Sequence, residues 1–220
     1  MVGCDVSVPV RLKAPRERLG STYGGWWIRS DLLGPDSIVY SVGIGRDISF
    51  DLSLIERYRL IVHAFDPTRK CREWLRSQQL PTNFLFTSAG LANYDGRGSF
   101  VLRSRPDWDS YELNVPATGA YDVEELPVAR LATLMNRFGH DHIDVLKLDI
   151  EGSEYDVISD MLWSRLDVRQ LLVEFHYERR DAGHHAMIRS ALVALDRAGY
   201  LAFARSPGGR EVSFYRPRPG

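Results

Sequence analysis

Ser37-Ile-Val-Tyr-Ser-Val-Gly-Ile-Gly-Arg-Asp-Ile-Ser-Phe-Asp-Leu-Ser-Leu-Ile-Glu-Arg-Tyr58 decides the fold. Its first six residues are apolar, β-branched or aromatic apart from two serines, the composition of a buried strand. Gly43-Ile-Gly45-Arg46-Asp47 follows as a loop, and then Phe50, Leu54, Ile55 and Tyr58 recur at helical spacing. Strand, glycine loop and helix in that order form the nucleotide-cradling corner of a doubly wound sheet. Glycine lets the backbone approach a ligand, and the helix N-terminus offers unpaired N–H groups. A βα turn that merely needs positive φ would read the same way. The next strand, Leu60-Ile-Val-His-Ala-Phe65, ends in Asp66-Pro67, about 20 residues after the loop, where an acidic side chain accepts from a ribose. Asp66 also fits as a helix cap with Pro67 at the first helical position. Dinucleotide loops carry a third glycine at position 48, and this chain has Ile48. The pattern favours a nucleoside ligand without a pyrophosphate.

Working outward, further strands are expected at Asn83–Ser88, Ile143–Asp149, Leu171–His176, Tyr200–Ala204 and Glu211–Tyr215. Helices separate the earlier ones: one near Trp74, one through Val128, Leu131, Leu134, Met135 and Phe138 that stops at Gly139, and a short one that Ser153 is placed to cap. A longer helix runs through Ile188, Leu192 and Leu195 to Gly199. Only Pro207-Gly-Gly209 and its neighbours join the last two strands, too few for a parallel crossover, so the final strand runs antiparallel to its predecessor. The expected architecture is α/β, a Rossmann-like doubly wound sheet, mostly parallel with an antiparallel C-terminal strand. Residues 1–36 read as a lead-in carrying Tyr23-Gly-Gly-Trp-Trp27, which is either a lid or a turn whose tryptophan plugs the core. Residues 37–216 form the domain, with an inserted hairpin expected within 92–127, and 217–220 form a tail.

Composition sets bounds. At 220 residues the chain suffices for one domain burying roughly 70% of its unfolded surface. A net charge of −1 provides no overall field for nucleic acid or anionic lipid. Cys4 and Cys71 form neither a disulfide framework nor a metal spacing. There is no apolar leader ahead of Cys4 and no stretch of membrane-spanning length, so a cytoplasmic protein with no membrane or nucleic-acid partner is expected.

Four segments together resemble the FkbM-type S-adenosylmethionine-dependent methyltransferases: Val39–Gly45, His63–Pro67, Leu146-Lys-Leu-Asp-Ile-Glu-Gly-Ser-Glu154 and Leu172-Val-Glu-Phe-His176. The Lys147–Gly152 run is the most specific. The resemblance covers about residues 37–205 and implies a seven-stranded sheet, S-adenosylmethionine as cofactor and methyl transfer to oxygen of a small molecule, sugar or natural product, with nitrogen of a small molecule or peptide left open as acceptor. It places Ser41, Gly43, Ile44, Gly45 and Asp47 at the methionine end, with Asp66 and Pro67 at the ribose. Ser88, Ala89 and Gly90 border the adenine, and Asp149 reaches the cofactor side. Ser41 stands where many such enzymes carry an acidic residue, and Asp47 where they carry a third glycine; Asp47 is expected to receive the methionine ammonium instead.

Asp149, Glu151 and His176 end neighbouring strands on the ligand crevice and are the expected catalytic residues. His176 is the expected base, being largely neutral at pH 7 at its ordinary pKa of about 6.5. The carboxylates also fit as anions at the helix terminus near Ser153. Lys147 is expected to pair with a carboxylate, and His140, His142, His184 and His185 to be solvated. No metal ligand set is assigned: Asp149, Glu151 and His176 are a conceivable one, but nothing in the sequence fixes its geometry. Two other function classes stay open: a nicotinamide-dependent oxidoreductase, weakened by Ile48, and an inactive methyltransferase-like binding module, which would not need the crevice carboxylates.

Overall fold

The computed structural model describes residues 8–102, 111–113, 123–177 and 181–217. Two short strands come first, β1 (Glu17–Leu19) and β2 (Trp26–Ile28), paired antiparallel. The quoted stretch then folds as β3 (Ile38–Val42), the glycine loop and α1 (Ser49–Tyr58). β4 (Ile61–Phe65), α2 (Arg69–Leu75) and β5 (Phe84–Thr87) complete the first half. A side excursion follows: β6 (Gly90–Leu91), β7 (Gly96–Leu102), β8 (Tyr111–Leu113) and β9 (Val123–Ala129). The second half contains α3 (Leu131–Phe138), β10 (His142–Leu148), α4 (Glu154–Trp163), β11 (Asp167–Glu174) and α5 (Ala182–Arg197). β12 (Leu201–Arg205) and β13 (Glu211–Tyr215) close the chain.

The main sheet has seven strands in the order β12-β13-β11-β10-β3-β4-β5. β13 lies antiparallel between β11 and β12, and the pairings from β11 to β5 are parallel, as the short Pro207–Gly209 connection requires. Helices on both faces bury the central strands, which explains their nearly unbroken apolar runs. β10 carries two charges in that run, at opposite ends. Asp144, 4% exposed, accepts from Ile38 N at 2.8 Å and pairs with Arg169. Lys147, 5% exposed, lies at the other end beside the glycine loop.

Several local expectations change. Val128 belongs to β9, not to α3: it packs with Ala92, Phe100 and Leu126 in a small core of the side sheet. That sheet runs β6-β9-β7-β8, so the expected hairpin of β7 and β8 is present, flanked by β9, which was not anticipated. The hairpin's turn lies outside the described residues, as do Cys4 and most of the tail. Thr68, not Asp66, caps α2, accepting from Cys71 N at 3.3 Å. Ser153 makes no capping hydrogen bond; Glu154 Oε2 takes Gly152 N at 2.8 Å instead.

β2 lies on the main sheet. Ser213 Oγ donates to Trp27 O at 2.8 Å, and Arg29 N donates to Gln170 Oε1 at 2.7 Å. Trp26 and Ile28 are buried in the core, so of the two readings of the aromatic–glycine segment, Trp26 plugs and Tyr23 stays exposed. Among the described residues no helix is long and apolar enough to cross a membrane.

Candidate active site

The loop after β3 meets the end of β10 at backbone contact. Gly43 has φ +73°, and a Cβ there would lie 1.7 Å from Asp149 O, so any side chain forces the two segments apart. Gly45, also at positive φ, has open space where its Cβ would be. Asp66 fixes the loop from below. Its Oδ2 accepts from Gly45 N at 3.0 Å, while Oδ1 accepts from Thr68 N at 2.9 Å and Thr68 Oγ1 at 2.6 Å. A carboxylate has about four acceptor sites, so one direction on Oδ2 remains for a ligand hydroxyl.

Asp47 faces the N-terminal turn. Its Oδ1 accepts from Ser49 N at 2.9 Å and its Oδ2 from Ser21 Oγ at 2.7 Å. Burial pushes its pKa up, and these hydrogen bonds outweigh burial and bring it below the ordinary value. Gly24 packs beneath it, where a Cβ would stand 2.5 Å from Asp47 Oδ2. Asp47 therefore anchors the turn, and both oxygens are engaged.

Lys147 Nζ donates to Gly43 O at 2.8 Å, lies 3.5 Å from Asp149 Oδ2 and sits 5.7 Å from the centre of the Trp26 ring. The expected carboxylate pairing is present, but the shorter contact is to the loop carbonyl. Asp51, in the first turn of α1, is 1% exposed and lies on the crevice floor with Oδ1 unpartnered. Burial pushes its pKa up to about 6, against the pull of Lys147.

A carboxylate–histidine corner is built by β10, β11 and the turn before α4. Glu151 has φ +51°, a left-handed backbone rare for a residue with a side chain, and it lines the crevice. His176 Nε2 lies 3.5 Å from Glu151 Oε2, 3.8 Å from Asp149 Oδ1 and 3.8 Å from Glu174 Oε1. Behind it the fully buried Glu154 accepts from His176 N at 2.6 Å and faces Nδ1 at 3.5 Å. Burial alone pulls the His176 pKa down, yet Glu154, Glu151 and Asp149 push it up to about 10. This reverses the expected protonation state: the imidazole is cationic at pH 7 and already holds the proton a base would take. Glu174 is raised as well, which for a carboxyl favours the neutral form. Burial first, then Asp149, raises its pKa to about 7, against the pull of His176. Glu174 was not singled out from sequence, although it stands in the quoted Leu172–His176 motif.

Asp149, Glu151 and His176 each offer a ligand atom, all within 4.8 Å of one another. A metal would require His176 to give up its proton, so this corner holds either a metal or the imidazolium.

All of these groups open on one crevice of about 1500 Å³. Small-ligand pockets span roughly 300–1,000 Å³, so there is room for two small ligands together. Gly43, Ile44, Gly45, Asp47, Asp66, Pro67, Asp149, Glu151 and His176 line it, but Ser41, Ser88 and Ala89 do not. Ser41 is fully buried within β3, Ser88 Oγ accepts from Arg72 at 3.1 Å and Ala89 is buried. Gly90, the third residue of that stretch, does line the crevice, followed by Leu91 to Tyr94, and Phe100 and Leu113 extend this wall from the side sheet. The other histidines are mixed: His140 Nδ1 bonds Tyr40 Oη at 2.9 Å, and His185 packs edge-on to Tyr177.

A family model described as "Methyltransferase FkbM domain" matches residues 41–202. The chain is 28% identical over 141 residues to "Probable methyltransferase-like protein 24" of Rattus norvegicus and 29% identical to that of Homo sapiens. Each match covers 63% of this chain and 32% of the relative, so the chain spans about a third of the length of these curated relatives. Among solved structures, a fibrillarin pre-rRNA processing protein from Methanococcus jannaschii aligns with a TM-score of 0.47 and 12% identity, over 84% of this chain and 69% of that one. An rRNA methylase from Streptococcus thermophilus aligns with a TM-score of 0.43 and 12% identity, over 86% and 91%.

Proposed function

The chain belongs to the FkbM methyltransferase domain family, and from that premise we propose that it is an S-adenosylmethionine-dependent methyltransferase acting on a hydroxyl of a small molecule, sugar or natural product. The observation that carries this reading is convergence: the glycine loop of β3 and the carboxylate–histidine corner of β10 and β11 open on the same crevice.

The residues present fit the donor. Gly45 leaves open space where a side chain would otherwise project, and Asp66 Oδ2 keeps one acceptor site for a ribose hydroxyl. Asp47, Asp51, Asp66 and Asp149 surround the single ammonium of Lys147, a negative surplus suited to a cationic ligand. When bound, S-adenosylmethionine supplies an electrophilic methyl on a sulfonium sulfur.

The chain's own residues then position the acceptor and remove its proton. Positioning contributes most, on the order of 7–11 kcal/mol for well-oriented groups. Cationic His176 donates from Nε2 toward the acceptor oxygen or toward Glu151, fixing orientation. Glu174 Oε1, 3.8 Å from His176 Nε2 and partly shielded from water, takes the hydroxyl proton. A carboxyl with a pKa near 7 is matched to that task, whereas an ordinary carboxylate is too weak a base. The side-sheet residues Tyr94, Phe100 and Leu113 give the acceptor an apolar wall.

Calorimetry with S-adenosylhomocysteine tests the cofactor. Micromolar or tighter binding that Asp66→Ala weakens at least tenfold supports the reading. Tight NAD binding with no response to S-adenosylhomocysteine overturns it.

A further inference from the structure

Among the described residues, the buried carboxylates are nearly all accounted for. Asp66 takes three hydrogen bonds, Asp144 takes Ile38 N and Arg169, and Glu154 takes His176 N and Gly152 N. Asp51 is different. It is as deeply buried as these, yet its Oδ1 has no hydrogen-bond partner, and it faces the crevice from the first turn of α1. The Ser41 hydroxyl stabilises it without forming a well-aligned hydrogen bond, and Lys147, its cationic neighbour, is committed to Gly43 O and Asp149. Leaving a buried acceptor unpaired costs about 1–3 kcal/mol, and more for a charged group, so a partner from outside the chain is the natural completion.

The partner's chemistry follows from the surroundings. A neutral donor would leave an ionised carboxylate uncompensated, and an anion would be repelled by Asp47 and Asp51 together. A primary ammonium supplies charge and up to three donors in a small volume. The open space above Gly45 lies on the same loop, so the ammonium belongs to a ligand that passes along it.

We propose that Asp51 receives the α-ammonium of the donor's methionine moiety, the role that sequence reading gave to Asp47. Each Asp47 oxygen already accepts a hydrogen bond, from Ser21 or Ser49, whereas Asp51 Oδ1 accepts none. The inference rests on the methyltransferase reading above, and it makes Asp51 the residue that distinguishes an amino-acid-bearing adenosine from a plain one.

Binding measured by calorimetry tests it without any methyl acceptor. Wild-type protein is titrated with S-adenosylhomocysteine, with its analogue lacking the α-amino group, and with 5′-methylthioadenosine, which lacks the whole amino-acid end. The same series is run on Asp51→Asn, with thermal melting as a check on folding. The expected result is an affinity for S-adenosylhomocysteine at least tenfold above that of the deaminated analogue. Asp51→Asn should lose that advantage while its affinity for 5′-methylthioadenosine stays within about twofold of wild type. Equal wild-type affinity for S-adenosylhomocysteine and its deaminated analogue overturns the inference, even if the variant fails to fold. So does a parallel loss of all three ligands in a folded variant, which would mark Asp51 as structural. If wild-type protein binds none of the three, the methyltransferase reading fails, and this inference with it.

Discussion

Two histidines on the same sheet have been pushed in opposite directions. His63, in the middle of β4, packs on Tyr40 (5.3 Å between ring centres), Phe138 (4.7 Å) and His140 (4.9 Å). Burial, then the neighbouring His140, lowers its pKa to about 4. His176, just beyond β11, is also largely buried but is surrounded by Glu151, Asp149, Glu154 and Glu174, and its pKa rises to about 10. Burial opposes charge in both places. What decides the sign is whether carboxylates stand within reach. The aromatic cluster is made for packing, whereas the crevice corner holds a cation among acids at neutral pH.

The sharpest break of this contrast comes from Glu174. If it is the proton acceptor, Glu174→Gln should lower kcat by about 100-fold or more, since general base catalysis contributes roughly 10²–10⁴-fold. Affinity for S-adenosylhomocysteine should stay within a few-fold, so single-turnover rates and calorimetry together decide the matter. Full turnover in the variant would return the proton to water and leave positioning as the whole mechanism.

Next come His176→Ala and Glu151→Ala, each expected to lower kcat at least tenfold with cofactor affinity little changed. His63→Phe is the matched control on the packing side. It should leave turnover within twofold, and a larger loss would mean that the two regions are not independent.

Titration sharpens the comparison further. In histidine-selective NMR, His63 should remain neutral down to about pH 4 and His176 should stay protonated to about pH 10. The signs of the stability effects follow from linkage. The folded pKa of His176 is raised, so its contribution is fully present below pH 6.5 and is lost as pH rises through about 10. The folded pKa of His63 is lowered, so its contribution is present above pH 6.5 and is lost as pH falls through about 4. Denaturant melts should therefore show a flatter alkaline limb in His176→Asn and a flatter acid limb in His63→Phe.

The smallest expected effect is that of chelation. With His176 already cationic, the corner needs no metal to balance its acids, so EDTA should leave turnover within twofold. A strong loss restored by Mn²⁺ would mean that the imidazole works as a metal ligand, overturning its assignment as a cation at neutral pH.

The sequence alone determined the frame of this protein. Apolar runs of strand length, helical spacing and a glycine loop are local signals, and β3, α1, β4 and β10 match their readings within a residue or two, whereas β11 begins four residues before Leu171. The antiparallel last strand was equally legible, because a connection of a few residues permits no other sense. Val128 misled for the converse reason: it continues α3's apolar spacing, but its partners in the small core come from elsewhere in the chain.

The tertiary structure alone decided which of the site's polar groups are free. Nothing in the local sequence says that Ser21 and Ser49 occupy Asp47, that Thr68 and Gly45 occupy Asp66, or that Asp51 is left with a bare oxygen. Those partners come from separate segments or depend on how the loop is folded. The protonation of His176 was hidden in the same way. A histidine's ordinary pKa is a property of the residue, but its value here is set by carboxylates that β10, β11 and the turn before α4 bring within 4 Å. Periodicity and turn chemistry are written along the chain; electrostatics depends on distances that exist only once it has folded.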